Sequence, residues 1–138
     1  RAPIRPSVRR RLRHSARGDG MTMAPEKLDD LDTFAARSGE VTRKGARAFA
    51  RLLQLAETRD SGQIPRVARF LAATYNGQAF RLDPFELRAV DIAISDDMLC
   101  CLDALRWGRA DLYTLVPDGD ARVRAVIDRW GLRWSDDA

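Results

Sequence analysis

The stretch Asp83-Pro84-Phe85-Glu86-Leu87-Arg88-Ala89-Val90-Asp91-Ile92-Ala93-Ile94-Ser95-Asp96-Asp97-Met98-Leu99-Cys100-Cys101-Leu102-Asp103-Ala104-Leu105-Arg106-Trp107 decides the fold class. Leu87, Val90, Ile94, Met98, Cys101 and Leu105 recur at steps of three or four residues, the repeat of one helix face. Asp83 can cap the helix, Pro84 suits its first position, and Glu86 completes a capping box three residues past the cap. The pattern predicts one helix from Asp83 to Trp107, ended by Gly108. Ile92 and Leu99 widen the apolar face and predict a central helix with neighbours on two sides.

The same repeat extends in both directions. Upstream, Pro25 and Glu26 open a first helix whose stripe is Leu28, Leu31, Phe34 and Ala35, with Gly39 as its stop. A second helix starts near Thr42, carries Phe49, Leu52, Leu53 and Ala56 on one face, and ends before Asp60; Gly45 weakens only its first turns. Ser61 caps a third, whose core face is Ile64, Val67, Phe70, Leu71, Thr74 and Tyr75 and which closes at Asn76-Gly77. Downstream, a short element around Leu112, Tyr113 and Leu115 precedes a final helix opened by Asp118-Gly119-Asp120 and lined by Val123, Val126, Ile127 and Trp130; Trp134 is expected to fold back on the core. No alternating strand pattern is present. The expected fold is therefore all-α: a compact bundle of about five helices over residues 24–138, behind a disordered basic leader at residues 1–23.

The 138 residues carry 24 Lys+Arg against 20 Asp+Glu, a net charge of +4. Seven of those cations and a single acid fall in residues 1–20, so positions 21–138 hold 17 basic and 19 acidic residues and are slightly acidic. Basic character belongs to the leader. Met21 and Met23 stand just before organised sequence, which leads us to expect an appended leader outside the native coding sequence; an arm that grips phosphate is the alternative. Every apolar run is broken by charge well before the roughly 20 residues of a spanning helix. Cys100 and Cys101 are adjacent and cannot form a secreted disulfide framework; they read as two small core-edge residues of a cytoplasmic protein.

Few residues point to chemistry. On a helix through residue 91, Asp91 falls between Met98 and Leu102, inside the apolar arc. A carboxylate there needs a partner, and Arg88, one turn earlier, is the local candidate for a buried structural lock. Asp96 and Asp97 diverge by about 100° on a helix, so they read as solvated charge rather than a metal pair. The only histidine, His14, lies in the leader, and the chain has no zinc ligand cluster, phosphate-binding glycine loop or nucleophile motif. No catalytic, cofactor or metal site is expected. Arg59, Arg66 and Arg69 form a candidate partner or nucleic-acid surface. A helix-turn-helix needs base-reading polar residues where this chain has Gly62-Gln63-Ile64-Pro65.

The run Ser61-Gly62-Gln63, Arg66-Val67-Ala68-Arg69-Phe70-Leu71, Tyr75-Asn76-Gly77, Phe80, Leu82-Asp83, Leu87-Arg88-Ala89-Val90-Asp91 and Ile94-Ser95-Asp96-Asp97-Met98-Leu99 resembles a family of small proteobacterial proteins of unknown function. The likeness covers roughly residues 46–134, weakens after Trp107, and implies an association with plasmids or integrated elements but no activity. The expected function is a non-enzymatic helical module that acts by protein contact, with nucleic-acid binding through the arm and the arginines as the alternative. The sequence leaves open whether it is a monomer or a homodimer.

Overall fold

The computed structural model describes residues 20–60 and 62–134. Among them the chain forms α1 (Gly20–Thr58), α2 (Ile64–Tyr75), a 3-10 turn at Pro84–Arg88, α3 (Ile92–Trp107), a second 3-10 turn at Leu112–Leu115, and α4 (Gly119–Arg129). The described residues are thus all-helical, with four α-helices where about five were expected. Two compact units are distinguished, residues 1–37 and 38–138. Residues 1–19 of the leader expected at 1–23, and the cap at Ser61, lie outside the described residues.

In the first unit, residues 20–37 belong to α1, so the boundary expected at residues 23 and 24 falls within a helix. Leu31 and Phe34 do not line a core as expected; they are 63% and 58% exposed.

In the second unit Gly39, expected to stop a helix, does not. Its residue conformation is helical, and Thr42, expected near a helix start, instead donates its hydroxyl to the Ser38 carbonyl 2.8 Å away, one turn back. A glycine inside a helix costs only about 1 kcal/mol, too little to interrupt a helix whose next turns are held by burial. Those turns place Ala48, Phe49, Leu52, Leu53 and Ala56 in the core with no exposure. Ile64, Val67, Phe70 and Leu71 of α2 join them, as do Val123, Val126 and Ile127 of α4, on the faces their spacing predicts. Thr74 and Tyr75 are half-buried. The α2 helix closes at Asn76 with φ −149°, not through a positive φ; its side-chain oxygen accepts from the amides of Gln78 and Ala79, both at 3.1 Å.

The helix expected from Asp83 to Trp107 is broken. Asp83 accepts from the Phe85 amide at 3.0 Å and starts a single 3-10 turn, and the chain is extended at Asp91 before α3 begins. The buried face of α3 is Ser95, Met98, Cys101 and Ala104, while Leu105 is exposed. Ile92, at 74%, and Leu99 are also exposed, so α3 does not have the second covered flank that the widened stripe predicted. Trp107 ends α3 and Gly108 follows in the left-handed region, as expected. Trp134 folds back as expected, its ring edge-on to Phe80 with centroids 4.8 Å apart.

The C-terminal end of α1 is finished by α4. An α-helix leaves its last carbonyls without intrahelical donors. Here Arg129 Nε and Trp130 Nε1 both donate to the Ala56 carbonyl, at 3.1 and 2.9 Å, and Arg129 Nη2 donates to that of Arg59 at 2.8 Å. The guanidinium also places positive charge at the negative end of the helix dipole. Arg122 adds a two-pronged ion pair to Glu57, with both bonds at 2.9 Å.

Gly45 determines how α1 meets α3. A Cβ at this position would stand 2.3 Å from the Ala104 Cβ and 3.2 Å from the Cys100 carbonyl oxygen. Carbon atoms in contact prefer separations of about 3.5–4.0 Å. Gly45 is therefore an interhelical contact, not merely a weak point in an early turn. We predict that Gly45→Ala destabilises the protein by about 1–2 kcal/mol, because overpacking of roughly 1–3 kcal/mol or more outweighs the gain of about 1 kcal/mol in helix propensity. Adding Ala104→Gly should restore part of the loss. Urea denaturation of the three variants checks this; a stabilised single variant would show that the helices do not meet so closely.

Candidate interaction surface

Once the 83–107 segment is broken, its polar residues fall into new places. Gln63 and Asp91 are the residues that precede α2 and α3, and neither side chain caps its own helix. They bond to each other. The Gln63 amide donates to Asp91 Oδ2 at 2.8 Å, and its carbonyl oxygen accepts from the Asp91 backbone amide at 2.7 Å. Asp91 is exposed, so the buried lock read from the sequence is not formed. Arg88 does not pair with it; its guanidinium lies 5.5 Å from the centre of the Phe85 ring.

The buried carboxylate of this region is Glu86. Its side chain does not return to the cap position as a capping box requires, but pairs with Arg66 Nη1 and with Arg69 Nε, the latter at 2.8 Å. Arg66 and Arg69 are one turn apart on α2, so both reach the same carboxylate. Glu86 is 10% exposed by side chain, whereas the two arginines are 42% and 46% exposed. The Arg69 guanidinium, against the opposing effect of burial and with Arg66 beside it, holds the Glu86 carboxyl below its ordinary range. The pairs fix the 3-10 turn onto α2 and leave outward-facing guanidinium surface.

Phe85, between the cap and this carboxylate, is 66% exposed. The turn thus carries an exposed aromatic ring with Arg88 beside it, while its Glu86 is clasped by Arg66 and Arg69. Arg59, grouped with Arg66 and Arg69 in the sequence reading, belongs elsewhere. It lines a groove of about 370 Å³ with Arg51, Gln54, Leu55 and Thr58 of α1 and Ala93, Ile94 and Asp97 of α3. Asp97, read as solvated charge, is held in a two-pronged pair by Arg51, with bonds of 3.1 and 2.8 Å; Asp96 is exposed. Cys101 is fully buried and burial pushes its thiol pKa up, which makes it a core residue rather than a nucleophile.

Residues 46–131 match a family model described as a family of unknown function, DUF7673. The chain belongs to the DUF7673 family. No curated protein and no solved structure matches it. The polar residues that carried the resemblance, now placed on the structure of this DUF7673 chain, include both halves of the Gln63–Asp91 pair and the two arginines on Glu86. Glu86 and Phe85 were missed as site residues because the sequence pattern assigned them to an ordinary helix start. The available signal was Arg66 and Arg69 one turn apart, followed by a single acid in the next ordered turn.

Glu86 has a lower pKa folded than unfolded, so its contribution is complete above its ordinary value of 4.5 and is lost as pH falls through the folded value. We predict that Glu86→Gln destabilises by about 1–2 kcal/mol at neutral pH, less than a fully buried pair because both arginines are solvated. The gap from the parent should close as the medium is acidified below that carboxylate value; a constant gap would refute the ion-pair origin. For Asp91→Ala the expected loss is about 1 kcal/mol, the scale of exposed hydrogen bonds, with coupling to Gln63→Ala in a double-mutant cycle.

Proposed function

We propose that this protein is a non-catalytic docking module and that the Phe85 turn receives a partner segment presenting carboxylates beside an apolar side chain. The observation that carries the reading is the exposed Phe85 ring with the Arg88 guanidinium 5.5 Å from its centre, on a turn fixed to α2 by Arg66 and Arg69 through Glu86. Aromatic and arginine side chains supply a large share of binding energy at interfaces. A surface ordered before binding also avoids much of the entropy cost of ordering it. Arg66, Arg69 and Arg88 against Glu86 and Asp83 leave a net charge of +1 on and around the turn, which is complementary to an acidic segment. The carboxylates that could have served as catalytic acids are engaged: Asp91 by Gln63 and Asp97 by Arg51.

The same ring and arginines favour a second reading, single-stranded nucleic acid stacked on Phe85 with phosphates on the guanidinium groups. The two are separated by titrating the full chain with a fluorescent peptide of Glu, Leu and Phe and with a labelled oligothymidylate across a salt series. For the docking reading, the peptide binds and Phe85→Ala weakens it about tenfold, the effect of losing an interface anchor. Tight oligothymidylate binding with a steep salt dependence would transfer the face to nucleic acid. Binding of neither, or peptide binding indifferent to Phe85→Ala, would remove the proposed face.

A further inference from the structure

The groove between the end of α1 and the start of α3 has a chemistry of its own. Leu55, Ala93 and Ile94 give it apolar wall, and Arg51 and Arg59 give it positive charge. Arg51 occupies both Asp97 oxygens, which sets Asp97 in place and leaves Arg59 with no ion-pair partner among the described residues. The Arg59 backbone is held at both ends: its amide donates to the Leu55 carbonyl at 2.9 Å and its carbonyl accepts from Arg129 at 2.8 Å. The side chain therefore springs from a fixed base. The lining charges sum to a net +1, and the volume lies within the range of small-ligand sites, about 300–1,000 Å³.

We propose that this groove binds a small monocarboxylate with an apolar body, its charge on Arg59 and its hydrocarbon against Leu55 and Ile94. One negative charge balances the lining. A dianion would bring its second charge toward the Asp97 carboxylate, and a cation would meet Arg59, so the groove discriminates by both sign and number of charges. This site rests on different residues from the Phe85 turn and does not depend on the docking role.

The test is a titration of the full chain, followed by amide chemical shifts, with sodium hexanoate, sodium adipate and hexylammonium chloride. Hexanoate should give saturable shifts confined to residues 54–59 and 93–97, with an apparent Kd on the order of 1 mM. Adipate against the parent protein, and hexanoate against Arg59→Gln, should each bind at least about threefold more weakly, as loss of an exposed charge contact allows. Hexylammonium should cause no saturable shift. Arg59→Gln preserves both backbone hydrogen bonds, and its dispersed amide spectrum reports that the fold is intact. Equal responses to hexanoate and hexylammonium, an unchanged affinity in Arg59→Gln, or no saturable shift with hexanoate would overturn the proposal. None of these results touches Phe85, so failure here and failure of the docking face are separately visible.

Discussion

The backbones of α1 and α3 meet at Gly45 and Ala104 so closely that no additional methyl fits between them. From that contact the two helices run antiparallel, with Gly45 beside Ala104, Arg51 beside Asp97, and Gln54 to Arg59 beside Ala93 and Ile94. Small residues set the distance at one end, where Cys101 also lies with its sulfur 3.9 Å from the Gly45 carbonyl. Toward the other end the groove lies between the two helices, lined by Leu55, Arg59 and Ile94. The Arg51–Asp97 pair stands where close contact gives way to opening. A partly exposed ion pair adds little stability by itself, but a two-pronged one restricts relative helix orientation.

A second constraint acts on the segment between α2 and α3. It has no long helix of its own to satisfy its backbone, so side chains of α2 hold it. Gln63, just before α2, and Arg66 and Arg69 on it follow at three-residue intervals and grip Asp91 and Glu86. Both helices thereby start from a shared hydrogen-bonded pair. An acid near two helix starts is also favoured by the positive ends of their dipoles. The exposed ring and arginines are displayed on a scaffold whose rigidity derives from polar contacts, while the apolar core lies on the other face of α2.

The sequence discloses the helical class and most of the core because the apolar period is a local property. Phe49, Leu52, Val67, Phe70, Val123 and Ile127 are buried on the faces that period assigns. It fails where tertiary context outweighs local preference. Gly39 is carried through a helix, and the helix from Asp83 ends after one turn although its apolar repeat continues. The repeat carried its own warning at Asp91. A carboxylate inside an apolar arc can mark a buried lock or the point where the arc is interrupted, and here it marks the interruption. The Glu86 clasp joins residues 17 and 20 positions apart, which no local pattern can pair. For the same reason sequence proximity groups Arg59 with Arg66 and Arg69, whereas a turn of chain carries it to a different groove.

The way α4 finishes α1 bears on the order in which the structure can form. The carbonyls of Ala56 and Arg59 receive their donors from residues 70 to 74 positions later. A helical protein is usually rich in local contacts and correspondingly fast to fold. Here the last carbonyls of the longest described helix find their protein donors only once Arg129 and Trp130 are in place; until then they face water. Loss of α4 would therefore be felt not only in the core it lines but also at the C-terminal end of α1, far away in sequence.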